Sequence, residues 1–241
     1  LSHPTSSPLL LLFDIDGTLI DTGGAGLNAL SAAFLDSFGL QSRAEEMPKL
    51  ELAGSTDGGI TRSLCAHFDI VVEDNDPSVR TFYASYLEKL RANLEGSHRD
   101  EGHVLPGAPE LLHRVREETD HTLALLTGNI ADGAWLKVDH FGFEDVFEFG
   151  AFGDDHHDRN ELGPIALKRA RERNNARTFS PDQTVIIGDT PRDVACARAC
   201  GATAVAVATG KFSAAELEQC EPDHLFENFS DSDHFFRELG L

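Results

Sequence analysis

Leu9-Leu10-Leu11-Leu12-Phe13-Asp14-Ile15-Asp16-Gly17-Thr18 is the stretch whose reading decides the fold. Its apolar run is five residues long and stops at a carboxylate, too short for a core helix or a membrane span. It suits a strand covered on both faces, as in a parallel sheet. Similar short runs recur at 122–126, 184–187 and 203–207, and helical patterns lie around them at 108–118, 132–141, 161–174 and 191–200. Strand and helix alternating at this spacing predict a doubly wound α/β domain with a mostly parallel sheet. Ligands of such sheets sit beyond the carboxyl ends of the strands. Three of the four runs end there in polar residues: Asp14, Thr127 and Asp189.

Residues 21–103 break the alternation. They carry helical patterns at 25–38, 58–67 and 78–94 and no clear buried strand, with acidic and glycine-rich loops near 72–77 and 95–103. Their place after the first strand predicts an inserted helical cap at 21–103 on a core formed by 1–20 and 104–241.

Composition narrows the function classes. The chain has 241 residues, 41% of them hydrophobic and 25% charged, enough for a sizeable core. A formal charge of −21, from 41 acidic and 20 basic residues, opposes nucleic acid or an anionic membrane as partner. Four cysteines, Cys65, Cys196, Cys200 and Cys220, form no CxxC pair, and Cys196 and Cys200 share a helix face as small buried side chains. The opening Leu-Ser-His-Pro-Thr-Ser-Ser-Pro has neither the basic start nor the long apolar stretch of a signal peptide. A soluble cytoplasmic enzyme is the expectation. His156-His157 stands out among eleven histidines but lacks partners at ligand spacing, so it reads as a solvated loop.

Two carboxylates two residues apart just past a strand end, Asp14 and Asp16, can converge on one phosphoryl group and one cation. Phe13-Asp14-Ile15-Asp16-Gly17-Thr18-Leu19 resembles the first motif of the haloacid dehalogenase-like superfamily, most of whose members are phosphatases. Leu125-Leu126-Thr127-Gly128-Asn129 is similar to its second motif, and Ile186-Ile187-Gly188-Asp189-Thr190-Pro191-Arg192-Asp193 to its fourth. Order and separation fit the phosphoglycolate phosphatase-like branch, with a helical cap inserted after the first motif. The resemblance runs from about residue 9 to 210.

The resemblance implies a Mg²⁺-dependent phosphatase acting on a small phosphorylated metabolite, phosphoglycolate-like or sugar phosphate-like. Asp14 would attack phosphorus and form an aspartyl-phosphate, while Asp16 would serve as general acid and then base. Thr127, with backbone N–H groups of Gly128 and Asn129 and the start of the following helix, would hold phosphate oxygens. Mg²⁺ would be bound by Asp14, the Asp16 carbonyl and Asp189, with Asp193 holding a metal-bound water or else serving the dipole at its helix start. The family's lysine before a helix start has no direct counterpart here. Asp158-Arg159-Asn160-Glu161-Leu162-Gly163-Pro164 offers Arg159, with Lys168 as rival. Gly54-Ser55-Thr56-Asp57-Gly58 resembles the substrate-facing loop of such caps, although a turn capping the next helix fits equally. Arg62, one turn on, suits a substrate's anionic tail or a solvated face. The alternatives are a sugar-phosphate mutase, which shares the core motifs, a haloacid dehalogenase, which lacks the second aspartate, and a non-catalytic binding module.

Overall fold

In the computed structural model, which describes residues 7–49, 53–73, 76–99, 101–173 and 178–241, the sheet is built around β1 (Leu10–Phe13). All four β1 side chains are fully buried because helices cover both faces. Leu11 and Phe13 point to a core shared with α4 (Ala108–Glu118), α5 (Ala131–His140) and α9 (Ser232–Leu239). Leu10 and Leu12 point the other way, toward α6 (Leu162–Glu172), α7 (Pro191–Cys200) and α8 (Ala214–Glu218). The alternation of Cβ along a strand makes this division.

Six strands run parallel in the order β5 (Gly150–Ala151), β4 (Thr122–Leu126), β1, β6 (Thr184–Gly188), β7 (Thr203–Val207), β8 (His224–Phe226). From β1 the chain builds outward through β4 to β5, then returns to place β6 on the other side of β1. The strand order therefore reverses beside β1, where ligands of doubly wound sheets bind.

A separate ribbon, β2 (Ile20–Asp21) antiparallel to β3 (His103–Val104), joins the chain where it leaves and re-enters this unit. Between them α1 (Ala25–Ser37), α2 (Asp57–His67) and α3 (Pro77–Glu95) bury a core of their own around Phe34, Leu64, Phe82, Tyr86 and Leu90. Phe34 meets Phe82 edge to face at 5.7 Å between ring centres. Ile130, from the turn after β4, is buried in that same cluster and anchors the helical layer to the sheet unit.

The two parts also meet through the backbone. Asp57 N–H donates to Gly128 O at 2.7 Å and the Thr56 hydroxyl donates to His157 O at 2.6 Å, while within the sheet unit Gly153 N–H donates to Asn129 O at 2.7 Å. A Cβ on Gly128 would overlap the Ser55 carbonyl oxygen, and one on Gly153 would overlap the Gly128 carbonyl.

The short strands β2, β3, β5 and β8 were not foreseen because two or three residues carry no measurable alternation. Helices α8 and α9 were not foreseen either; the remaining strands and α-helices lie within a residue or two of their expected positions, with Asn174 and loop positions 74, 75 and 100 outside the described residues. Gly128→Ala is expected to cost about 1–3 kcal/mol by forcing the seam apart, measured by urea unfolding against wild type.

Candidate active site

β4, β1 and β6 are neighbours, so the residues just past their ends are neighbours too. Oxygens of Asp14, Asp189 and Asp193 lie within 4.8 Å of one another, all three residues buried. After β1 the chain turns through Gly17 at φ +81°, and the Thr18 hydroxyl donates to Asp189 Oδ1 at 3.2 Å. Side chains on Gly17 or Gly210 would overlap the Asp189 carboxylate, so it is gripped between two glycine backbones.

One cation stands inside this cluster. Arg159, in the short 3₁₀ turn Arg159–Glu161, is 5% exposed. Its Nη2 lies 2.9 Å from Asp14 Oδ2 and also pairs closely with Asp193 Oδ1. Nη1 donates to Gly54 O at 3.4 Å, while the buried Nε has no protein acceptor, which leaves donor capacity on the guanidinium. The Cys196 thiol donates to Arg159 O at 3.2 Å, and burial pushes that thiol up to about 12, as befits an inert structural cysteine. Burial would lower the guanidinium, but Asp14 and Asp193 outweigh it and hold it charged. Asp14 is itself raised to about 6 by burial, against the opposing pull of Arg159. Asp189 is driven well up by burial and by Asp193 and Asp14.

Asp193 uses both oxygens on protein partners: Oδ2 accepts from Thr190 N–H at 3.0 Å and from its hydroxyl at 2.7 Å, and Oδ1 meets Arg159. The helix-start pattern read at Thr190-Pro191 is present as a capping box at the start of α7.

Asp16 faces the same cavity with its side chain 40% exposed. Its Oδ2 accepts from Asn129 Nδ2 at 2.8 Å and from Lys137 Nζ at 2.6 Å. Lys137 Nζ also donates to Asn129 Oδ1 at 2.6 Å, and Asn129 Nδ2 reaches Thr127 Oγ1 at 2.9 Å. Lys137 was not foreseen. It lies on the buried helix face it shares with Gly133, Ala134 and Val138, where a lysine demands an ionic partner.

The remaining candidates divide. Thr127, Gly128 and Asn129 line the cavity, but the start of α5 is already occupied: Ile130 N–H donates to Asp57 Oδ2 and Ala131 N–H to Asp154 Oδ1, each at 2.9 Å. Ser55 and Asp57 line the cavity as well, with Ser55 Oγ 2.6 Å from Arg192 Nη1. Thr56 is the N-cap of α2, accepting from Gly59 N–H at 3.0 Å. Arg62 lies exposed on a different cleft with Tyr83 and Asp154. Lys168 is 74% exposed and pairs with Glu172 on the surface, away from the cavity. His156 and His157 stack at 4.6 Å on a loop, and the clustered ligand set among the described residues includes neither.

The profile of the haloacid dehalogenase-like hydrolases matches residues 11–207. The chain belongs to that family. A phosphoglycolate phosphatase of Aliivibrio fischeri is 24% identical over 224 residues, covering 91% of this chain and 92% of that protein. IndB of Dickeya dadantii, named a probable phosphatase, is 26% identical over 92% of this chain and 90% of its own length. The solved structure of a hydrolase from Pseudomonas syringae superposes with a TM-score of 0.67 at 22% identity, over 96% of this chain and 99% of that one.

In this haloacid dehalogenase-like hydrolase the buried charge is out of balance. Three carboxylates face one guanidinium, and a divalent cation at Asp14 and Asp189, beside an Asp193 committed to Thr190 and Arg159, is the chemical species that the oxygen donors fit. Asp57 shows a similar tension. Burial raises it to about 6, against the pull of Lys137 and the Ile130 N–H bond. The unfolded chain ionises this group near its ordinary 3.8, so stability falls as pH rises from about 4 to about 6 and stays lower above. Asp57→Asn removes that charge and keeps an oxygen for Ile130 N–H. The melting temperature of the variant should gain on wild type more at about pH 7 than at about pH 4; an equal difference at both would contradict the buried charge as its cause.

Proposed function

We propose that this chain is a magnesium-dependent phosphatase that cleaves a small phosphate monoester in two steps through Asp14. It is an enzyme of the haloacid dehalogenase-like hydrolases, and relatives named as phosphatases match nine-tenths of it, which supports the class of phosphoric monoester hydrolases. The observation that carries the reading is the pairing of Asp14 with Arg159 at 2.9 Å beside an Asp16 held by Lys137 and Asn129.

Asp14 Oδ attacks phosphorus in line as the bond from phosphorus to the alcohol oxygen breaks, and Asp16 delivers the proton that the leaving oxygen needs. Asp16 then takes a proton from water, which attacks the aspartyl-phosphate, releases inorganic phosphate and restores Asp14. Arg159 and the Thr127 hydroxyl hold the phosphoryl oxygens, and Asp193 keeps Arg159 in place. Lys137 and Asn129 fix the direction of the Asp16 side chain. Mg²⁺, held by Asp14, Asp189 and the Asp16 carbonyl, would offset charge on the phosphoryl group. The substrate is a small phosphorylated metabolite, and a cytoplasmic setting fits the four unpaired cysteines. Among the described residues no helix is long and apolar enough to cross a membrane.

Asp14→Asn should abolish phosphate release from small monoesters with the fold intact, and Asp16→Asn should lower kcat by about 10²–10⁴. Chelation should silence the wild type until Mg²⁺ is restored, and accumulation of free phosphate separates a phosphatase from a mutase. Persisting turnover in Asp14→Asn would exclude the mechanism. Arg159→Ala should lose at least ~100-fold in kcat/KM, and Lys168→Ala should stay close to wild type. The reverse pattern would assign the phosphate-facing charge to Lys168.

A further inference from the structure

The cavity above Asp14 has a volume of about 320 Å³. Asp14, Asp16, Asp189 and Arg159 line it from the sheet unit, and Leu27, Leu30, Ile60 and Tyr86 give it an apolar lining from the helical layer. Among the described residues no lysine, arginine or histidine of 21–103 lines it; the charged side chains this segment contributes are Asp21 and Asp57. Lys49 and Arg192 line another cleft, on the far side of the Ser55–Thr56 turn. The two cations that do line the cavity are matched, Arg159 by Asp14 and Asp193, and Lys137 by Asp16.

We propose that the site takes monoesters of an uncharged alcohol with an apolar portion, and discriminates against an alcohol bearing a second anion. The inference rests on the phosphatase reading. A carboxylate or second phosphate on the leaving group would lose its hydration against an apolar wall. It would also face Asp21 and Asp57 with no unmatched cation to receive it. An aliphatic portion gains from burial against Leu27, Leu30 and Ile60 instead. One neutral polar contact is available. Lys137 Nζ gives two of its three N–H bonds to Asp16 and Asn129. Gly26, where a Cβ would come within 3.2 Å of Nζ, keeps the approach to the third open. With its charge already matched, that donor suits a hydroxyl or ester oxygen.

The test compares kcat/KM of the Mg²⁺-loaded full chain for 2-phosphoglycolate, its neutral amide and n-propyl phosphate. Both neutral esters should exceed phosphoglycolate by at least ~10-fold. Leu27→Arg, at a rim position 42% exposed, should raise phosphoglycolate and lower n-propyl phosphate, narrowing the gap. Equal or preferred turnover of phosphoglycolate by wild type would overturn the proposal while leaving the phosphatase reading intact. No release of phosphate from any of the three, or from p-nitrophenyl phosphate, would instead overturn the phosphatase reading, and this proposal with it.

Discussion

Three carboxylates are buried against a single guanidinium, two just past the ends of the adjacent strands β1 and β6 and one on the first turn of α7, and much of the structure follows from keeping them there. Asp14 and Asp189 are carried by β1 and β6, whose backbones are fixed by parallel pairing on both sides. Asp193 is locked by the capping box of α7. Like charges brought this close repel and are poorly hydrated, so each oxygen needs a donor. Thr18, Thr190 and Arg159 supply part of that demand. What they leave unmet is the affinity for a cation. Glycines at 17 and 210 then follow as a steric requirement, since their backbones occupy the space beside Asp189 that side chains would need.

The helical layer is held by a second constraint of the same kind. Its loop at 54–57 lies so close to the turn after β4 that Gly128 has no room for a Cβ, and Gly153, after β5, is crowded in turn by the Gly128 carbonyl. That contact spends the N-terminal amides of α5 on Asp57 and Asp154. A helix start that could have bound phosphate thus ties the helical layer down instead. On the reading proposed above, phosphate recognition would then rest on Arg159 and Thr127 rather than on that helix start, with the buried guanidinium also reaching Gly54 O.

Most of the sheet was legible because a strand covered on both faces must be apolar throughout, and the runs at 122–126 and 203–207 say so without ambiguity. The strand-end residues followed from topology, since parallel neighbours bring their carboxyl ends together. Lys137 was not legible by the same logic. In a helix after the second motif a lysine reads as solvent-facing, and only tertiary packing shows that its face is the buried one. The separation of Arg159 from Lys168 has a simpler origin. A residue in the 3₁₀ turn before α6 can reach across the strand ends, whereas Lys168, on the outer face of that helix, meets Glu172. The short edge strands and the ribbon at 20–21 and 103–104 are set by partners distant in sequence, and no local pattern announces them.

Arginine suits this position for reasons that go beyond charge. It meets two carboxylates and a backbone carbonyl from one planar group, whose fixed fork of donors reaches all three at once. A phosphate ester approaching this protein meets a surface of net charge −21, which opposes it at long range. Ions screen that field within about 10 Å at 0.1 M salt. Capture therefore depends on what waits inside the cavity. On the reading proposed above, Arg159 is already matched by Asp14 and Asp193, so a dianionic phosphoryl group would find net attraction only once a cation joined the carboxylates. Metal occupancy and substrate affinity would then be coupled, because the same unbalanced carboxylates that favour a cation repel the ester without it.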